Sequence, residues 1–265
     1  MYIELTETKH RPFPMPKAPW FLTPVWNEML FLHYQYPSSL IRQLVPQDLE
    51  LDLFEGKAWI SIIPFKVTNM RMRGLPLFPY LHSYLELNVR TYVKYNNIPG
   101  IYFFSLDADK LLAVLSANIR LGLPYKKAHM SFLQEDNDFF IKSKRIGSVS
   151  NYQFEVLYHR HKMLYEPLPN SLDAWLLERY IMYSIWGSYI VRGDIHHDQW
   201  KVSMVNADII NNTMLDFLRD DASNYSSTHM HYSRRKRFLF FPPKIVGKIS
   251  EYKKEYGDKK TLGGI

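Results

Sequence analysis

The stretch that decides the fold is residues 83–93, which read Ser83-Tyr84-Leu85-Glu86-Leu87-Asn88-Val89-Arg90-Thr91-Tyr92-Val93. Apolar and polar side chains alternate along it, as they do in a β-strand with two different faces. Glu86, Asn88 and Arg90 point to one side, and the leucines and valines point to the other. A carboxylate, an amide and a guanidinium on one strand face could bind a small polar molecule.

The chain on either side of this strand predicts many more strands and a few helices. Further strands are expected over residues 56–67, 100–107, 127–133, 138–144, 152–160, 186–192 and 199–207. A turn at residues 96–100 joins the strands 83–95 and 100–107. Helices are expected over residues 38–44, 109–121, 172–184 and 212–219. This pattern predicts a β-rich α+β fold, an antiparallel barrel or curled sheet rather than a βαβ layout.

The length of the chain allows one large domain or two small ones, and no linker divides it, so a single domain is predicted. The chain has 265 residues, of which 46% are hydrophobic, so a sizeable core is available. Five prolines fall within residues 10–24, which predicts an extended arm outside regular structure. We expect an N-terminal arm over residues 1–25, one domain over 26–245 and a basic tail over 246–265.

Several classes of protein are disfavoured by what the sequence lacks. There is no cysteine, which excludes disulfides, a thiolate nucleophile and a cysteine-ligated zinc site. Neither a secretory signal nor a membrane-spanning apolar run is apparent, so a cytoplasmic protein without membrane attachment is expected. No Gly-rich phosphate loop, Walker pattern or nucleophile elbow occurs, and no cofactor is predicted.

The charge balance is basic, with 33 Lys and Arg against 26 Asp and Glu. These residues are scattered, apart from the cluster at residues 234–237 and a lysine-rich C-terminal tail. A solvated basic face is the simpler interpretation, so nucleic acid is not expected as a partner. The expected partner is a small molecule, and a homo-oligomer is compatible with the sequence.

Histidine pairs occur at residues 159 and 161, 196 and 197, and 229 and 231, yet none has the spacing of a known zinc motif. No metal site is therefore predicted. His197 and Trp200 are expected to pack at a strand turn. Arg179 is expected to form a buried ion pair with a carboxylate, in a structural role.

Several of these stretches carry a family resemblance. Residues 26–51, 86–93, 100–108 and 123–125, followed by Glu178-Arg179-Tyr180 and His196-His197-x-x-Trp200, resemble the YqjF-like family of unknown function. The resemblance covers about residues 26 to 205. That family is placed with the acetoacetate-decarboxylase-like proteins, so the resemblance implies a closed, cone-like β-barrel with flanking helices and an internal polar cavity. It implies no known substrate.

The resemblance also directs attention to a lysine pair. Acetoacetate decarboxylase forms an imine through a lysine in a Pro-Lys-Lys sequence. This chain has Pro124-Tyr125-Lys126-Lys127, with Tyr125 where the first lysine would fall. Adjacent residues of an extended segment face opposite sides, so only one of Lys126 and Lys127 readily enters a cavity. Both could instead lie on a solvated turn.

These observations predict a site. Glu86 is the candidate acid or base and Lys126 the candidate amine, while Asn88, Arg90, Tyr125 and Lys127 are candidate ligand-binding residues. An alternative is that Glu86 and Arg90 pair with each other. The predicted function is binding of a small polar or anionic organic molecule. As an enzyme, the protein would act on a keto or carboxylated substrate as a metal-independent, decarboxylase-like lyase; otherwise it is a non-catalytic binding or interaction protein.

Overall fold

The structure is a computed structural model that describes residues 2–77, 80, 83–110, 122–148, 150–218 and 229–250. Two α-helices lie within these ranges, α1 (Ser38–Arg42) and α2 (Leu172–Leu177), with 3-10 turns at Ile3–Leu5 and Asp216–Leu218. The first seven strands are β1 (Leu22–Tyr36), β2 (Glu50–Leu51), β3 (Ala58–Met72), β4 (Ser83–Tyr95), β5 (Ile98–Ala108), β6 (Tyr125–Glu135) and β7 (Asp138–Arg145). The others are β8 (Gln153–Tyr165), β9 (Ile181–Trp186), β10 (Tyr189–His196), β11 (Val202–Asn212), β12 (His229–Arg237), β13 (Leu239–Phe240) and β14 (Lys244–Lys248).

The strands form one sheet that closes on itself twice. One ring runs through β1, β12, β11, β8, β7, β6, β5, β4 and β3 back to β1. The second ring shares β1, β3, β4 and β5 and is completed by β9, β10 and β13. Neighbouring strands are antiparallel, except that β5 runs parallel to both β6 and β9. The predicted β-rich fold with a closed sheet and few helices is confirmed.

Because β4 belongs to both rings, both of its faces are buried. Leu87, Val89 and Val93 pack in one hydrophobic cluster, and Tyr84 and Tyr92 pack in another. A sheet with one wet face would leave the polar side of β4 in solvent. The double closure instead carries that polar side into the interior.

The turn before β5 is tighter than predicted. Asn96 and Asn97 have φ angles of 50° and 60°, so these two residues alone reverse the chain and β5 begins at Ile98. Asparagine tolerates this left-handed conformation better than most residues, and the resulting two-residue turn matches the twist of the flanking strands.

Two of the predicted helices are wrong in extent. The helix expected over residues 172–184 ends at Leu177, and Ile181–Trp186 is β9. Its aromatic and β-branched side chains match a strand position between β5 and β10, where tertiary pairing outweighs helical spacing. The helix expected over 212–219 is only a 3-10 turn at Asp216–Leu218. The helix expected over 109–121 falls mostly on residues 111–121, outside the described residues.

Two long strands were not predicted from the sequence. β1 begins at Leu22, inside the predicted arm, and β12 contains the basic cluster at residues 234–237. An irregularity in β1 hides simple alternation, and β12 is rich in polar and charged side chains. In β1, Glu28 has a φ of 53° and lies in a bulge against β3. The domain boundaries at residues 26 and 245 stay predictions, and regular structure extends slightly beyond each.

Candidate ligand-binding site

Glu86 lies inside the molecule with a cluster of polar neighbours. It is 3% exposed, and the Tyr125 hydroxyl donates a hydrogen bond of 3.0 Å to its Oε2 atom. Burial raises the pKa of Glu86 to about 7, although hydrogen bonds with Tyr125, Tyr84 and Asn88 oppose the rise. Glu86 can therefore take up or release a proton near neutral pH.

Tyr125 owes its position to the turn that precedes β6. Gly122 has a φ of 60°, and a Cβ there would lie 2.4 Å from the carbonyl oxygen of Ile185. Only glycine meets both conditions without displacing the backbone. Burial, and then the charge of Glu86, raises the pKa of Tyr125. The phenol therefore remains protonated and acts as a donor to Glu86.

The two lysines lie on opposite sides of β6. Lys126 is exposed and pairs in the sheet with Asp107. Lys127 is partly buried, shares the face of Tyr125, and donates a hydrogen bond to the backbone oxygen of Asp109. The structure thus brings Tyr125 and Lys127 to the Glu86 side of the sheet and places Lys126 on the opposite side, next to Asp107.

Arg90 is buried, and the described part of the chain offers it no counter-charge. It is 7% exposed, and its Nη2 atom donates to the backbone oxygen of Leu176 at 3.4 Å. In the part of the chain that the structure describes, its Nε atom has no hydrogen-bond partner and no carboxylate lies within 4.0 Å. Glu86 and Arg90 therefore do not form the alternative ion pair. The Oδ1 atom of Asn88, between them on the strand, also lacks a described partner.

Next to Arg90 lies a hydrogen-bonded group that the sequence did not indicate. His33 Nδ1 is 2.7 Å from Ser61 Oγ, which is 2.6 Å from the Tyr92 hydroxyl. Burial lowers the pKa of His33, and the charges of His231 and Arg90 lower it further. His33 pairs with His229 where β1 lies beside β12. The sequence did not indicate this group because neither strand was predicted.

The two C-terminal family motifs contact each other. Glu178 accepts a 3.0 Å hydrogen bond from the backbone nitrogen of Trp200, and the His197 ring stacks on Tyr180 with centroids 4.6 Å apart. Arg179 Nη1 lies 2.5 Å from Asp52 Oδ2. The predicted structural roles of Arg179, His197 and Trp200 are confirmed.

Two of the cavities that open at the surface are lined by other side chains. One of about 600 Å³ is lined by residues that include Tyr165, Asp173, His229 and His231. The other, of about 200 Å³, lies between β8, β11 and β12. Neither is lined by Glu86, Asn88, Arg90 or Tyr125.

No three His, Asp or Glu side chains in the described ranges converge as a metal site would require. No helix in these ranges has the length and apolar character needed to cross a membrane.

Solved structures share this architecture. An acetoacetate decarboxylase-like enzyme from Sphingomonas wittichii RW1 superposes with a TM-score of 0.60 at 11% identity, over 90% of this chain and 98% of that one. The enduracididine biosynthesis enzyme MppR complexed with pyruvate superposes with a TM-score of 0.59 at 10% identity, over 90% and 95%. The closed sheet is thus that of the acetoacetate-decarboxylase-like fold.

The sequence places the chain more narrowly within that fold. The uncharacterised protein YqjF of Bacillus subtilis (strain 168) is 39% identical over 228 residues, covering 86% of this chain and 93% of that protein. The model of the DUF2071 family, described as an uncharacterised conserved protein, matches residues 23–237. The chain belongs to the DUF2071 family, as the resemblance to YqjF-like proteins predicted.

Proposed function

We propose that this protein binds a small organic molecule that carries a carboxylate, with Arg90 as its anchor and Glu86 as the group that exchanges a proton. The observation that carries the proposal is the buried, uncompensated guanidinium of Arg90 on the same strand face as Glu86. An unpaired buried charge costs several kcal/mol. A bound carboxylate would recover much of that cost and could form a bidentate hydrogen bond.

The spacing of the two groups suits a bifunctional ligand. Arg90 and Glu86 are four residues apart, which is roughly 13 Å between their Cα atoms, and the long side chains of both residues shorten the distance that a ligand must span. Asn88 lies between them and retains an unsatisfied oxygen. A ligand with its carboxylate at Arg90 could direct a carbonyl or hydroxyl group towards Glu86 and Tyr125. A keto acid or hydroxy acid meets this description.

Acid–base chemistry agrees better with the side chains present than imine formation does. Lys126 is exposed on the far face of β6, whereas Tyr125 contacts Glu86. A carboxyl group with a pKa of about 7 can remove a proton next to a carbonyl group and return it at neutral pH. The Tyr125 hydroxyl would orient Glu86 through their hydrogen bond. The MppR complex with pyruvate supports a keto acid on this fold.

The test measures proton exchange and covalent chemistry separately. Proton NMR in D₂O would follow exchange of the methyl protons of pyruvate, and of a panel of other α-keto and β-keto acids. We expect exchange with the native protein, none with Glu86→Gln, and binding weakened about tenfold or more by Arg90→Gln, since a hydrogen bond to a charged group is worth about 1.5–3 kcal/mol. The exposed Arg73→Gln is the matched control and should match the native protein.

Borohydride trapping separates the acid–base mechanism from the imine mechanism. Intact mass would be recorded after treatment with each acid for the native protein, Lys126→Ala and Lys127→Ala. We expect no adduct. A stable adduct lost in one lysine variant would overturn the acid–base mechanism and identify the amine.

A non-catalytic binding protein is the second candidate, favoured by the presence of Tyr125 where acetoacetate decarboxylase has its amine. It predicts keto acid binding that depends on Arg90 without any proton exchange. A cytoplasmic location and a homo-oligomeric state remain predictions, as does the lack of nucleic-acid binding.

A further inference from the structure

A second polar pocket lies where β8 departs from β11. Arg160 pairs with Val205 and Leu164 pairs with Ser203, so three residues of β8 bulge opposite a single residue of β11. On the other side, β11 meets β12 at only one described pair, Ser203 with Tyr232. The bulge and this short pairing leave the cavity of about 200 Å³.

The lining of this cavity is strongly basic. Arg160, Lys162 and Arg234 all border it, together with His161. None of the three cations has an ion pair with a carboxylate of the described residues within 4.0 Å. The nearby carboxylate of Glu28 accepts a hydrogen bond from the Tyr232 hydroxyl. The pocket thus retains a net positive charge.

Arg160 is held in place before any ligand arrives. Its Nε atom donates to Asn137 Oδ1 at 3.0 Å, and its Nη1 atom donates to the Tyr232 hydroxyl at 3.1 Å. The guanidinium also lies over the rings of Phe139 and Tyr232, at 5.8 and 5.4 Å from their centroids. Neither hydrogen bond uses Nη2, which leaves a donor on a preorganised group.

A buried hydroxyl completes the lining. Ser203 is 0% exposed and borders the cavity, and its Oγ atom has no hydrogen-bond partner among the described residues. A buried hydroxyl without a partner costs free energy, so a ligand that accepts its proton would be stabilised.

We propose that this pocket binds a small phosphate-type oxyanion, either free or as the phosphoryl end of a small organic molecule. A phosphate group offers several acceptor oxygens and up to two negative charges, which match three cations and one hydroxyl donor. A carboxylate has fewer acceptors and a single charge. None of the lining residues belongs to the Glu86–Arg90 site, so the phosphate proposal and the keto acid proposal can be tested independently.

The experiment is a calorimetric titration of the full chain with inorganic phosphate at constant ionic strength. Parallel titrations with glycerol phosphate and with acetate distinguish free phosphate, a phosphoryl group on an organic molecule, and a carboxylate. We expect saturable binding of phosphate or glycerol phosphate, and at least about tenfold weaker binding of acetate.

Three variants test where the ion binds. Lys162→Gln combined with Arg234→Gln removes two exposed cations and should weaken phosphate binding about tenfold or more. Arg235→Gln is the control, because Arg235 is exposed beside Arg234 but does not itself line the cavity. It should change the affinity for phosphate by less than about twofold. Ser203→Ala leaves the charge unchanged and should weaken binding several-fold.

Two results would overturn the proposal. One is that neither inorganic phosphate nor glycerol phosphate binds saturably. The other is an equal loss of phosphate affinity in Arg235→Gln and in the double variant, together with an unchanged affinity in Ser203→Ala. That result would show that phosphate is attracted diffusely to a basic surface. Thermal unfolding of each variant verifies that the fold is retained.

Discussion

At the scale of single residues, this protein buries two charged groups of β4 in different ways. Glu86 is surrounded by hydrogen-bond donors and can become neutral by binding a proton near pH 7. Arg90 is 7% exposed, and among the described residues it has no carboxylate within 4.0 Å. Glu86 therefore makes folding stability depend on pH, and the carboxylate ligand that we propose would stabilise the fold through Arg90.

Replacement of Glu86 by Gln should stabilise the protein only at high pH. Because the folded state raises the pKa of Glu86 from 4.5 to about 7, it holds the proton more tightly than the unfolded chain. This group then lowers stability as the pH rises from 4.5 to 7, by about 3 kcal/mol in total. Urea unfolding at pH 5 and pH 8 should show Glu86→Gln close to native at pH 5 and more stable at pH 8. The exposed Glu135→Gln should show no such difference, and equal effects at both pH values would contradict the assignment.

Two arginine substitutions should have opposite effects on the ligand-free protein. Arg90→Met removes an unpaired buried charge, so the expected change ranges from none to a gain of about 2 kcal/mol. Arg179→Met separates Asp52 from its buried partner and should cost about 3 kcal/mol, reduced to the extent that Lys94 compensates. Denaturant unfolding measures both. A loss in Arg90→Met as large as that in Arg179→Met would show that Arg90 already has a counter-charge.

At the scale of secondary structure elements, backbone conformation determines which side chains meet. The left-handed residues Asn96 and Asn97 set the register of β4 against β5. Gly122 then sets the start of β6, so that Tyr125 faces Glu86 and Lys126 lies on the opposite side of the strand, next to Asp107. A shift of one residue in β6 would exchange these two side chains.

Replacement of Gly122 by Ala should therefore affect stability and the site together. The left-handed φ alone costs about 1 kcal/mol, and the contact of the new Cβ with the carbonyl of Ile185 adds more, so we expect a loss of at least about 2 kcal/mol. Gly187→Ala is the matched control, since Gly187 has a φ of 58° with nothing within 4 Å of the added Cβ. Gly187→Ala should lower the free energy of unfolding by only about 1 kcal/mol. Equal losses of stability in the two variants, measured by thermal unfolding, would show that the backbone at Ile185 moves away from the new Cβ without a cost in free energy.

At the scale of the whole molecule, double closure of the sheet buries histidines as well as carboxylates. His33, His196 and His197 lie in the interior, and burial lowers the pKa of each, to about 4 for His196. All three are therefore neutral in the folded protein at pH 7. Acid should destabilise the fold through these residues.

The expected result is a steep loss of stability below pH 6.5. Below this pH the histidines of the unfolded chain bind protons, whereas the buried histidines of the folded state stay neutral. The free energy of unfolding therefore falls as the pH drops from 6.5 to about 4. Three such protons give a slope of up to about 4 kcal/mol per pH unit, and the proton that Glu86 binds over the same range reduces the net slope to about 3 kcal/mol per pH unit. Guanidinium unfolding across this range measures the slope, which His197→Phe should reduce and the exposed His161→Gln should not. An unchanged slope in His197→Phe would contradict the assignment.

Much of the architecture could be predicted from local sequence. The alternation in residues 83–93 predicted β4, and the hairpin of β6 and β7 was predicted with nearly its full extent. The predictions that were wrong involve irregular or competing patterns. β1 contains a bulge at Glu28, and the helical spacing of residues 172–184 conceals β9, whose pairing with β5 and β10 depends on distant residues.

The sequence by itself determined that the chain is strand-rich, belongs to this family, and carries Glu86, Asn88 and Arg90 on one strand face. These properties depend on side-chain identity and on the two-residue period of a strand, which are local. Only the tertiary structure decided that this face lies inside, that Tyr125 rather than Lys126 contacts Glu86, and that Arg90 has no carboxylate within reach among the described residues. These follow from contacts between residues far apart in the chain, where closure of the sheet determines which groups lose water and which neighbours replace it.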